Sequence, residues 1–222
     1  MIYELPDELD MSTFRGDDVR KTMCVILDKY HELLCHDPLL TLRDFDYASD
    51  VRALRDALRD TLARHPLPEE VKWLILCLNE EDDPSTLSLL GYGSLDEVLR
   101  GSQLYPDSTD DVMEYSPEFF SEVSQLLDEL DFDEDAENDA FEKDDPEAEA
   151  EFTRREAVFD TLLFDLPLLF LASAISNVCN DETLEPSFLL ANRSRLQFAV
   201  MCHSGDPIPI GYLDEEGWKP EA

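Results

Sequence analysis

Asp131, Asp133, Asp135, Asp139 and Glu142 fall on the first, third, fifth, ninth and last positions of a twelve-residue calcium-binding loop. A hard cation takes carboxylate oxygens at that spacing. Two requirements fail, because Ala136 stands where the sharp turn needs glycine and Asn138 where an apolar residue anchors the loop. In so acidic a stretch the spacing arises by chance, and weak, unspecific divalent binding is the expectation.

A second constellation is the ridge Cys24, Asp28, His31 and Cys35. Thiolates and imidazole suit zinc, but Cys24 and Cys35 would lie about 16 Å apart along a helix rising about 1.5 Å per residue. Only His31 and Cys35 could share an ion. A half-buried ridge with a satisfied histidine is the expected outcome, with no metal and no cofactor.

Nucleophile chemistry has no better support. The chain lacks a G-x-S-x-G elbow, a P-loop and a dinucleotide fingerprint, and its four histidines (His31, His36, His65, His203) adjoin no evident partner. Carboxylate pairs carry no information among 53 acids. The expectation is a protein that is not an enzyme, with no catalytic residues. The series Arg52, Arg55, Arg59 and Arg64 could suggest an anion site, but helical ion pairs explain it better, as Arg52–Asp56, Asp56–Arg59 and Asp60–Arg64 on a solvated face.

The charge itself is the strongest signal. In 222 residues, 53 Asp and Glu against 17 Lys and Arg give a net charge of −36. Small soluble domains carry about 2–8 in magnitude. Such a field repels phosphate backbones and anionic lipid and attracts basic proteins. Residues 107–151 hold 20 acids and one base, a net of −19; the rest of the chain holds −17. From Asp128 to Glu151, 14 of 24 residues are acidic, too few of them apolar to form a core.

Five widely spaced cysteines without a CxxC pair predict reduced thiols. The first residues show no basic n-region or apolar h-region, which predicts no signal peptide. The apolar stretch Leu166–Ile175 covers half of the roughly 20 residues a membrane span needs. A cytoplasmic protein is the expectation.

The elements that would position these groups read as helices. Stripes and caps predict one from Asp17 or Asp18 to about His36, and one from Ser49 or Asp50 to His65. Leu67-Pro68-Glu69-Glu70 reads as the start of a third, apolar on nearly all sides, running to Leu78. Two short helical turns flank Gly91-Tyr92-Gly93. Further helices are expected from Ser116 to Leu130 and from Pro146 to Phe164, with a restart at Asp165-Leu166-Pro167. Leu196–Cys202 and Ile208–Leu213 read as two strands about a turn, with a helix over Ser187–Cys202 as the competing reading.

The resulting fold class is mainly α: an irregular bundle of six or seven helices with a possible C-terminal β-hairpin. Residues 1–127 are expected to form an N-terminal helical part, 128–151 an acidic flexible or peripheral segment, and 152–222 a C-terminal helical part with the possible hairpin, with a single domain joining 1–127 and 152–222 as the alternative.

The function this composition predicts is non-catalytic: binding, and thereby inhibiting, a basic nucleic-acid-binding protein by charge mimicry of nucleic acid. The predicted contact residues are Asp107, Asp110, Asp111, Glu114, Glu118, Glu122, Asp128, Glu129, Asp131, Asp133, Glu134 and Asp135. An immunity protein or chaperone neutralising a basic toxin uses the same physics. A halophile cytosolic protein is the environmental alternative. Five Lys against twelve Arg suits it, whereas 35 Leu and charge gathered in one segment do not.

Overall fold

The computed structural model describes residues 18–78, 87–98, 100–105, 113, 115–130, 146–181, 186–190, 193–202 and 205–221. Helix α1, Val19–Leu34, starts at Asp18, whose carboxylate accepts the Arg20 N–H at 2.9 Å. Val19, Met23, Ile26, Leu27 and Tyr30 form its buried stripe. It ends where Cys35 turns left-handed, at φ 51°. A 3-10 helix, Asp37–Asp44, leads to α2, Tyr47–Arg64. Asp46 rather than Ser49 or Asp50 caps α2, accepting the Ser49 N–H at 3.2 Å.

The expected third helix is a strand. Pro68-Glu69-Glu70 makes a turn, closed by Val71 N–H to the Pro68 carbonyl at 3.1 Å, and β1 follows at Trp73–Leu78. Leu74, Leu76 and Leu78 join the main core, while Ile75 and Cys77 join a smaller cluster on the other face. A strand buried on both faces shows no alternation, and its short apolar run resembles a buried helix. The helical turn expected before Gly91 is likewise strand β2, Leu87–Tyr92, with α3, Leu95–Val98, after it.

Helix α4 spans Glu118–Leu130 and α5 Pro146–Asp160. The expected restart at Asp165 does not occur. A π-helical turn, Thr161–Asp165, carries α5 straight into α6, Leu166–Asn180. There Leu166 N–H bonds the Thr161 carbonyl, five residues back, and the widened turn accommodates Pro167, which has no N–H to give. After α7, Pro186–Leu190, come β3, Arg195–Cys202, β4, Ile208–Asp214, and β5, Gly217–Pro220. The hairpin reading of this region holds; the helix over Ser187–Cys202 does not.

The sheet order is β2-β1-β3-β4-β5, with β1 and β3 parallel and every other pair antiparallel. The fold is therefore mixed α/β, with seven α-helices and a five-stranded sheet among the described residues, which corrects the expected mainly-α bundle with only a terminal hairpin. Elements before and after the acidic run share one sheet and one main core.

Helix α6 lies at the centre of that core. It packs against α1, α2 and α4 as well as β3, β4 and β5, so nearly every one of its side chains is buried. The continuous helix Ala150–Asn180 is long and apolar enough to cross a membrane, but 78% of its apolar window is covered by the rest of the fold.

Two local devices fix the sheet. Arg193 donates to the carbonyls of Val71 at 2.7 Å, Leu67 at 3.0 Å, Leu190 at 3.1 Å and Pro68, pinning the approach to β1 against that of β3. Gly211 sits at the irregularity between β3 and β4 with φ 153°, where a Cβ would run into the Lys219 carbonyl and the Trp218 ring.

Candidate functional site

Four of the predicted contact residues lie on one helix. Glu118, Glu122, Asp128 and Glu129 are all exposed on α4, while Phe119, Phe120, Val123 and Leu126 of the same helix are buried. At about 1.5 Å per residue, Glu118 and Glu122 stand about 6 Å apart along the axis, with Glu129 a further 10 Å or so along the same stripe. None of the four makes an ion pair with the described residues. Asp111, Glu114, Glu118 and Glu122 are spaced three and four apart in sequence, as along one side of a helix, and α4, which begins at Glu118, carries the last two. Asp107, Asp110, Asp111, Glu114, Asp131, Asp133, Glu134 and Asp135 lie outside the described residues, as do Asp139 and Glu142 of the calcium-like spacing.

Helix α4 is fastened at both ends. Asp50, buried in α2, accepts the N–H of Phe119 at 2.9 Å and of Glu118 at 3.2 Å, acting as the helix cap from a distant element. Tyr115 adds its hydroxyl to the Asp50 carbonyl at 3.1 Å. Burial raises the Asp50 carboxyl above its ordinary range, against the opposing pull of the two backbone N–H groups. At the other end, Arg155 of α5 donates to the Leu130 carbonyl at 2.6 Å. Its neighbour Arg154 is held by Glu151 at 2.8 and 3.1 Å. Arg154 and Arg155 thus bond to Glu151 and to the Leu130 carbonyl, and neither forms an ion pair with the four α4 acids among the described residues.

A cavity of about 310 Å³ adjoins this end of α4, lined among others by His36, Glu129, Glu151, Arg154 and Arg155. Burial and then Arg154 hold His36 below its usual pKa. The ionisable groups lining it are one imidazole, two carboxylates and two guanidinium ions.

The other sequence candidates come apart. His31 Nε2 contacts Asp37 Oδ1 at 2.9 Å, a satisfied ring on the α1 ridge. Cys24 is half-buried and Cys35 exposed, whereas Cys77, Cys179 and Cys202 are buried, and none of the five forms a disulfide. No group of three or more potential metal ligands gathers among the described residues. On α2, Asp56 receives both Arg55 at 3.3 Å and Arg59 at 3.4 Å, so the expected Arg52–Asp56 pair is not formed.

Two buried acids carried no clear sequence signal. Asp50 stands inside a helix and was read only as a possible cap of its own helix. Asp165 was read as a helix start, yet it closes the π turn in the core, hydrogen-bonded to Tyr30. Comparison with protein-family models, with curated proteins and with solved structures finds no match for this chain.

Proposed function

We propose that the protein is a non-catalytic binder of a basic nucleic-acid-binding protein and inhibits it by presenting carboxylates where phosphates would lie. The observation that carries this reading is the row of four exposed, unpaired acids on α4, a helix whose other face and both ends are anchored in the core. Fixed charges need no ordering when a partner docks, and complementary fields speed association.

Magnitudes say how far the helix goes alone. Four charges over about 16 Å amount to one per roughly 4 Å, beside one per about 1.7 Å in duplex DNA. The helix supplies less than half the linear charge of a duplex. Residues 131–145, with nine acids and one base, follow α4 directly and raise the total. Reducing cytoplasm suits five cysteines outside any disulfide and is the compartment this reading assigns.

The test is competition at constant ionic strength. The immobilised chain is loaded with lysate proteins in about 0.1 M salt, where the Debye length is about 10 Å, and washed with excess duplex DNA. Nucleic-acid-binding proteins should elute with the DNA and should lose activity when the free chain is added back. Retention of every captured protein in the presence of DNA would overturn the mimicry.

A further inference from the structure

On the side of α2 where it faces α1 and the end of α6, Arg20, Arg52 and Arg55 border one basin of about 530 Å³. That is within the size of sites that hold small organic ligands, about 300–1,000 Å³. Apolar surface from Phe45, Val51 and Val178 also lines it. The chain has only 17 bases, so three arginines about one hollow are a local concentration of them, set against four aspartates of the same lining.

Four aspartates share the lining, and each has a role within the fold. Asp18 and Asp46 accept backbone N–H groups as the caps of α1 and α2. Asp44 pairs with Arg20 at 3.2 Å and Asp181 with Arg55 at 3.0 Å. The Asp44 side chain is 93% exposed, so its pair is screened by water and readily exchanged. Among the described residues Arg52 has no side-chain hydrogen-bond or ion-pair partner, because Asp56, the acid one turn away, is held by Arg55 and Arg59. What the basin offers beyond these internal pairs is therefore a guanidinium fork next to apolar surface.

A guanidinium fork matches the planar or tetrahedral oxygens of carboxylate and phosphate. We propose that this basin binds a small organic oxyanion, a carboxylate or phosphomonoester on a planar apolar body, with Arg52 as the principal ligand and Arg20 released from Asp44 as the second. The site is independent of the acidic face on α4.

The probes are phenyl phosphate, benzoate and, as the cationic control, benzylamine, each titrated into the intact chain at fixed ionic strength. Arginine Nε–Hε resonances report occupancy. One or both anions should saturate while shifting the Arg52 signal, and the tighter of the two identifies the head group. Arg52→Gln should weaken that anion about tenfold, the loss of one charge-assisted pair. Arg64→Gln, on the same helix but outside the basin and, among the described residues, bonded only to the Asp60 carbonyl, should leave it unchanged, and both variants should keep the parent circular dichroism. Saturation by benzylamine alone, no saturation by either anion, or anion affinity indifferent to Arg52→Gln would each overturn the proposal.

Discussion

The hydroxyl of Tyr30 donates to Asp165 Oδ2 at 2.5 Å, while Oδ1 of the same buried carboxylate has no partner. This contact joins α1 to the π turn that leads into the central helix. Burial pushes the Asp165 carboxyl up to about 7 from an ordinary 3.8 and raises the Tyr30 phenol as well.

The pH dependence follows from that shift. The folded chain holds the Asp165 proton more tightly than the unfolded chain, so this group's contribution is complete below about pH 4. It is lost as pH rises to about 7, by up to about 4 kcal/mol if the shift is realised in full. The acids as a whole also repel one another more as pH rises, so the comparison must be with a variant. Asp165→Asn keeps an acceptor for Tyr30 and removes the titration. Its melting temperature should gain on the parent's between pH 5 and 8; parallel curves would sink the prediction.

Asp50 fastens α4 from outside that helix. Asp50→Ala removes the acceptor of two backbone N–H groups and should cost about 1–2 kcal/mol, read from urea unfolding. Asp50→Asn retains one oxygen and should lie between the two. An alanine variant as stable as the parent would show that water replaces the cap.

What was legible in the sequence follows the periodicity. Helices α1, α2 and α4 announce themselves by apolar stripes over several turns, and the exposed acids of α4 follow from the same stripe. Trp73–Leu78 does not, since six residues buried on both faces carry no period, and Pro68-Glu69-Glu70 imitates a helix start. Only its parallel pairing with β3, from the far end of the chain, decides the matter. The basin at Arg52 was equally hidden. It depends on which of three neighbouring arginines Asp56 accepts, and on segments brought together from three helices.

The charge of −36 must also be compatible with folding in ordinary salt. Self-repulsion of this size unfolds proteins adapted to brine when salt is withdrawn. Here a large continuous core, with α6 buried almost entirely, opposes it. Circular dichroism in about 0.1 M salt, at a Debye length of about 10 Å, should show a cooperative melt. A folded state present only near molar salt would assign the acidity to the environment.

The acidic face can be reversed without touching the core, because Glu118, Glu122, Asp128 and Glu129 are exposed and make no ion pair among the described residues. Replacing all four by Lys should therefore leave the circular dichroism unchanged. Affinity for a DNA-displaceable partner should fall at least tenfold in about 0.1 M salt. The loss should shrink as salt rises, because screening weakens the parent's attraction and the variant's repulsion together. A second variant, with residues 131–145 exchanged for a neutral linker of the same length, separates the run from the helix. If the helix acts as a fixed platform, the linker variant weakens binding but keeps DNA competition, whereas the four-lysine variant loses both. Unchanged affinity and salt dependence in the four-lysine variant would mean that these acids serve solvation, and the mimicry would fall.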